Sequence, residues 1–225
     1  DLEGALNLDI GVKTTKITDA GEENQLALSM KLEGDLGLNA ELFPEKSTVN
    51  GQLKVESATG AYADMVGVNG DLILALEPGS IDDVSLSMTR NGQVAGNIRV
   101  MGPFDFATSE GRIVAVFDNL NRQFLNLAGA VAGIDFKETV MDGSLTMTLT
   151  NGGNLLALAV TTTCSNVSIG TGEGVTPPLN LELDTTLNYD ADGEKLTVQQ
   201  FGLTVADGAT PTITGALLKP VTFAW

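Results

Sequence analysis

Asp190, Asp192 and Glu194 place three carboxylates around Gly193, a grouping that calcium loops use. A calcium loop of the EF-hand kind needs glycine at its sixth position and glutamate at its twelfth. Counted from Asp190, Gly193 stands fourth and Phe201 twelfth, so the segment reads as a hairpin turn. Gly170, Gly172 and Gly174 have the spacing of a phosphate cradle, but no lysine follows and no strand-to-helix switch frames them. Cys164 is the only cysteine and histidine is absent from the 225 residues. That removes Ser-His-Asp and Cys-His nucleophiles, histidine-ligated zinc and any disulfide framework. Cys164 continues the alternation of Val160 and Thr162, which is the position of an inert core thiol.

Only carboxylates remain for catalysis. A glycosidase needs two of them across a cleft, roughly 5 to 9.5 Å apart. The sequence has 29 acidic residues and singles out no pair, and the aromatic platforms of sugar clefts are scarce, with Trp225 the one tryptophan. The expectation is a protein that is not an enzyme and that uses no cofactor and no metal. Asn166-Val167-Ser168 fits a glycosylation sequon, which has meaning only in a eukaryotic secretory setting.

Charge narrows the partners. Twelve basic residues against 29 acidic ones leave a formal charge of −17. Phosphate backbones are met by clustered lysine and arginine that release counterions, so nucleic acid is excluded, and the same field opposes anionic lipid headgroups. No run reaches the ~20 apolar residues of a membrane helix, and the N-terminus lacks a basic start followed by an apolar stretch. The chain is expected to be soluble as given, a mature chain or an excised part of a larger protein.

The elements come from periodicity. Leu6, Leu8, Ile10 and Val12 alternate with polar residues, which puts the aliphatics on one face of a pleated strand. Leu26 to Leu32 repeat the pattern, and Leu36 to Leu42 follow after a turn expected at Gly34-Asp35. The same alternation returns around Leu53, Leu72 to Leu76, Val84 to Met88, Ile98, Leu145 to Leu149, Leu156 to Val160, Leu179 to Tyr189, Leu196 and Leu203. The parity changes between Val198 and Phe201, which predicts a β-bulge at Gln199-Gln200. Asn50-Gly51, Asn69-Gly70, Asn91-Gly92, Asp142-Gly143, Asn151-Gly152, Asp192-Gly193 and Asp207-Gly208 accept positive φ and predict tight hairpins. An all-β, mainly antiparallel meander follows, since strands do not alternate with helices.

One segment departs from this. Leu120, Phe124, Leu127 and Val131 fall at helical spacing, so a short amphipathic helix is expected over 119–132, lying on the sheet or closing one end of it. A helical turn is expected over 58–65. Residues 1–225 read as a single β-rich domain, with the Gly-, Thr- and Pro-rich stretch 170–178 marking an internal division of the sheet.

Something must keep the apolar face dry, because leaving an aliphatic side chain in water costs very roughly 1.5–3 kcal/mol. A second sheet would make a β-sandwich or barrel. A strongly curved sheet would instead make a groove lined by Leu, Met and Val and completed by a guest such as acyl chains. Periodicity alone leaves both open.

The stretch from Gly92 to Gly129, GQVAGNIRVMGPFDFATSEGRIVAVFDNLNRQFLNLAG, resembles the AsmA-like proteins of bacterial envelopes, relatives of TamB. In these a glycine-bracketed apolar strand, a second strand and a short Leu-x-x-x-(Phe/Leu)-Leu segment recur. Asp142 to Leu149 and Ile213 to Leu217 look like further strands of the same style, and the likeness covers about 120 residues. The resemblance implies a long sheet rolled into a hydrophobic groove that carries phospholipid between the two membranes of a Gram-negative envelope. It also implies a periplasmic location, a membrane anchor in the full-length protein, membrane-anchored envelope partners and a part in outer-membrane biogenesis. No catalytic residue is implied. Leu28, Met30, Leu72, Leu74, Leu76, Leu86, Met88, Leu145, Met147, Leu149, Leu181 and Leu183 are the side chains expected to line the groove. Two other readings stand beside it. One is a structural or adhesive β-sandwich module of a bacterial surface protein. The other is a carbohydrate-active domain with acids beside Tyr62, Tyr189 or Trp225.

Overall fold

The computed structural model describes residues 2–17, 23–132, 134–168, 170–171 and 174–225. Gly172, part of the glycine-rich stretch noted above, lies outside them. The strands are β1 (Leu2–Ile17), β2 (Glu23–Leu38), β3 (Ser47–Ala58), β4 (Val68–Glu77), β5 (Ser80–Arg90), β6 (Gln93–Asp105) and β7 (Glu110–Leu120). They continue as β8 (Val140–Thr150), β9 (Leu155–Val167), β10 (Gly170–Thr171), β11 (Gly174–Val175), β12 (Leu179–Asp190), β13 (Lys195–Asp207), β14 (Thr210–Ala216) and β15 (Val221–Ala224). A short 3-10 helix, Gly60–Met65, joins β3 to β4, and an α-helix, α1 (Arg122–Ala132), joins β7 to β8.

All but β10 and β11 belong to one 13-stranded antiparallel sheet, curved and open, in which each strand up to β13 pairs with the next one of the sheet along the chain. The sandwich is not realised, because the only other sheet among the described residues is the ribbon β10–β11. The sheet passes unbroken from β9 to β12, and the ribbon is an excursion between them. β14 and β15 both pair with β13, at Gly202–Asp207 and Lys195–Val198, so together they form one interrupted edge. No pairing among the described residues joins that edge to β1.

Turn chemistry holds at four of the seven dipeptides. Asn91 and Gly92, the two residues between β5 and β6, have φ of 51° and 79°, as a two-residue hairpin turn requires, and Asn151 and Gly152, at 55° and 64°, open the four-residue turn between β8 and β9. Asp192-Gly193 lies in the turn between β12 and β13, and Asp207 ends β13 with Gly208 the first residue of the turn to β14. The other three fail: Asn50-Gly51, Asn69-Gly70 and Asp142-Gly143 lie inside β3, β4 and β8. The turn at Gly34-Asp35 fails too, since β2 runs straight through it.

These glycines answer to neighbouring strands instead of to a turn. A Cβ on Gly51 would come 2.6 Å from Leu32 Cδ2 and 3.0 Å from Leu72 Cβ. One on Gly143 would sit 2.6 Å from the Thr161 carbonyl oxygen, and one on Gly34 would press into the Thr48 carbonyl. They are therefore points where the sheet bends tightly toward its apolar side, and only a residue without a Cβ fits there.

The expected bulge is present, for Thr186 pairs with Gln200 while Leu187 pairs with Val198, which leaves Gln199 unpaired. The helix starts three residues later than expected. Asn119 has φ of 52° and Leu120 still pairs with Met141, so the strand outlasts the helical spacing that begins at Leu120. Asn121 then caps the helix, its Oδ1 accepting from Gln123 N at 3.0 Å.

The connectors sort by end. The 3-10 helix, α1, the ribbon and the Asn91-Gly92 turn all lie at the end of the sheet where odd-numbered strands up to β9 finish. Among the described residues the opposite end carries loops and turns alone, with Asn39 to Lys46, Pro78-Gly79 and Asn151 to Asn154 among them. The core forms at the helical end. Leu26, Val55, Ala58, Tyr62, Met65, Val68, Met88 and Ala95 are buried together, with Leu28, Leu86, Phe124 and Leu127 packed against them. Gly96 opens the space for α1: a Cβ there would meet Leu120 Cδ2 at 2.8 Å and Phe124 at 3.0 Å.

Candidate functional site

The register decides which side chains share a face, because residues paired across an antiparallel ladder point the same way. One row runs Leu32, Gly51, Leu72, Leu86, Ile98, Phe117, Gly143, Thr162, Leu183 and Leu203. A second runs Val49, Leu74, Val84, Val100, Ala115, Leu145 and Val160. A third holds Ile113, Met147, Leu158, Leu187 and Val198, a fourth Leu149, Leu156, Tyr189 and Leu196. Met30 pairs with Leu53, which pairs with Gly70, which pairs with Met88. Leu28 pairs with Val55, Leu76 with Ile81, and Leu181 with Cys164. Every side chain expected to line the groove therefore shares one face of one sheet.

Burial divides that set. Met88 is 0% exposed and Leu76 8%, while Leu28 and Leu86 lean on the core under the two helices. Met88 is thus core packing with no surface left to line a groove. Met30, Leu72, Leu74, Leu145, Met147, Leu149, Leu181 and Leu183 are half-buried, shielded by neighbouring strands but with no layer above them among the described residues. Toward the two edges exposure grows, with Val12 at 54% and Phe223 at 54%. The whole chain exposes 12815 Å². A compact monomer of its mass would expose about 9,700 Å². The excess is what a single-layered sheet leaves open.

The cap over the helical end is held by polar contacts that the alternation does not reveal. Arg122 Nε and Nη2 donate to the two carboxylate oxygens of Asp135 at 3.0 Å each, and Asn126 Nδ2 and Lys137 N donate to Oδ1 at 3.0 and 3.1 Å. Lys137 Nζ adds an ion pair at 2.6 Å. Burial alone would raise the Asp135 carboxyl, but the hydrogen bonds from Lys137, Asn126 and Arg122 outweigh it and hold it far below the usual carboxylate range. Asn126, itself buried, accepts from Phe136 N at 2.9 Å, so the chain leaving α1 is pinned back on the helix. Beyond it, Ser168 N donates to Thr139 Oγ1 at 3.1 Å and Ser168 Oγ donates to the Thr176 carbonyl at 2.9 Å, which ties this segment to the ribbon. Nothing in the local spacing of Asp135 points to this latch, since its partners meet it only once α1 is docked.

The polar face has concavities of its own. The one over β9, β12, β13 and β14, about 530 Å³, is lined by Thr161, Thr163, Glu182, Asp184, Thr204 and Thr214 together with the residues between them, Leu183 and Leu203 included. These six side chains belong to the wet face, and Asp184 Oδ2 already accepts from Gln200 Nε2 at 2.8 Å. Among the described residues no group of three or more Cys, Asp or Glu side chains could hold a metal ion. Asp190 is used locally: its Oδ1 accepts from Gly193 N at 2.8 Å, closing the β12–β13 turn. Cys164 sits on the apolar face, where burial and then the Asp142 carboxylate push its thiol up.

Of the aromatics, Tyr62 is buried at 6% exposure and offers no open platform. Tyr189 and Trp225 stack on one another, ring centroids 6.2 Å apart and planes 16° from parallel, at the end of the sheet that carries only loops and turns. Trp225 is 67% exposed there.

Comparison of the chain with family models, with curated proteins and with solved structures returns no match.

Proposed function

We propose that the chain handles lipid, its half-buried apolar face receiving the acyl chains of a phospholipid or a similar guest. The observation that carries this reading is the row of half-exposed Leu and Met side chains from β4 to β13, on a sheet with no second layer over that stretch among the described residues. Acyl chains match such a surface because the contact is apolar and non-directional, so no polar anchor is required. The polar face and a net charge of −17 keep the other side in water. The exposed Trp225 beside Tyr189, at the end without helices, is suited to the boundary between lipid and water.

With this goes the AsmA-like reading of the sequence. The protein would work in the periplasm of a Gram-negative cell envelope, in lipid transport toward the outer membrane. It would be anchored in its full-length form and would act with envelope partners.

The experiment is extraction of the purified chain followed by mass spectrometry, alongside Leu74→Asp and Met147→Asp. The wild-type chain should yield lipid near one equivalent or more, and each variant should lose most of it while its β-sheet circular dichroism persists. A wild-type preparation free of lipid, or variants that keep theirs with the fold intact, overturns the proposal.

A further inference from the structure

The two edges of the sheet differ in how they are guarded. Long, regular edge strands offer a row of free N–H and C=O groups to another chain, and proteins blunt them with short strands, prolines and breaks. The edge formed by β14 and β15 has all three: strands of 7 and 4 residues, Pro211 inside the first, a register shift at Val205/Ala206, and an interruption at 217–220 that contains Pro220. The other edge has none. β1 is 16 residues long, contains no proline, and pairs with β2 in unbroken register from Leu2↔Leu38 to Ile17↔Glu23. Its outer side has no partner among the described residues, and Leu8 and Val12 on its apolar face are 44% and 54% exposed.

We infer that the occupant of this edge is a second copy of the chain, β1 pairing antiparallel with β1 across a two-fold axis at Leu8. The charge order along the strand makes it self-complementary, with Glu3 toward one terminus and Lys13 toward the other on the same polar face. Centred on Leu8, the pairing sets Glu3 against Lys13 of the second copy, twice over by symmetry. On the apolar face it sets Leu6 against Ile10 and Leu8 against itself. A pairing centred on Asp9 would oppose two aspartates, which like charges disfavour. A slip by one residue would turn the aliphatics of one copy onto the polar face of the other. Isologous contact of this kind closes on itself, so it gives a dimer and not a fibre. The two 13-stranded sheets then run together with one continuous apolar face. This inference stands apart from the lipid reading, because it uses only the edge and its charges.

The test is the self-association of the lipid-free chain, followed by sedimentation equilibrium in low salt. The wild-type chain should dimerise. Lys13→Glu should weaken the dimer at least tenfold, since both cross-strand pairs turn repulsive. Glu3→Lys with Lys13→Glu should restore it, because the pairs are re-formed with signs exchanged. In a Cys164→Ser background, Leu8→Cys should cross-link to itself on oxidation. A wild-type chain that stays monomeric at 100 μM or so overturns the inference. So does a charge swap that fails to restore the dimer, which would place the axis elsewhere, for instance at Gly11, where Lys13 would meet Asp9.

Discussion

The helical end of β2 to β6 and the open stretch of β8 to β13 are built from the same alternation and end in different states. In the first, Leu26, Val55, Val68 and Met88 are at most 4% exposed and packed with residues of the 3-10 helix and α1. In the second, Leu145, Met147, Leu156 and Leu183 occupy equivalent positions on the same face and remain half-buried. The strands do not make the difference; the connectors do. Where a connector is long enough to carry a helix with Phe124 and Leu127 on one side, it folds back and seals the face. Where it is the turn between β8 and β9 or between β12 and β13, the face stays open. An apolar face in a meander is therefore as dry as its connections allow.

Core substitutions sharpen this contrast most. Met88→Ala should cost about 3 kcal/mol, because a fully buried side chain leaves a cavity. Met147→Ala should cost about 1 kcal/mol, in proportion to its partial burial. Equal losses in chemical denaturation would mean that the second region is as well covered as the first.

Glycines give the next effect. Gly143→Ala sets a methyl 2.6 Å from the Thr161 carbonyl oxygen, so the backbone must shift, at about 2 kcal/mol. Gly215→Ala, on the same face with nothing within 4 Å, should leave the melting temperature unchanged.

A more local effect concerns the latch. Asp135→Asn should lower stability by about 1–2 kcal/mol at neutral pH, since charge-assisted hydrogen bonds to a largely buried carboxylate are lost. Because the folded-state carboxyl is held below its ordinary value of 3.8, its contribution is present above that pH and lost as pH falls below it. The gap between wild type and Asp135→Asn should therefore shrink on acidification, as thermal melts across pH 7 to 2 will read. Hydrogen exchange should show the loss of protection confined to α1 and the segment after it.

Much of the architecture was legible in the sequence because it depends on parity. Alternation placed Leu72, Leu74 and Leu86 on one face, and its break at Gln199 located the bulge. What failed depends on neighbours distant in sequence. Asn50-Gly51 has the local chemistry of a turn, but Gly51 is required by Leu32 and Leu72 on the strands beside it. The helical spacing at Leu120 was overridden by its pairing with Met141. Met88 reads like Met147 in its own segment; only the docking of the 3-10 helix and α1 over it separates their fates.

Pairing that runs strand by strand in chain order has an effect on assembly. Almost every hydrogen-bonded ladder closes over a short stretch of chain, the longest connections between adjacent strands being the one through α1, the passage through β14 to β15 and the detour through β10 and β11. Hairpins can then add one at a time to a growing template, as in solenoid arrays, with little loop entropy to overcome at each step. A lesion in one hairpin should fray that hairpin and its neighbours while the remainder holds, so unfolding of this sheet is expected to proceed in stages.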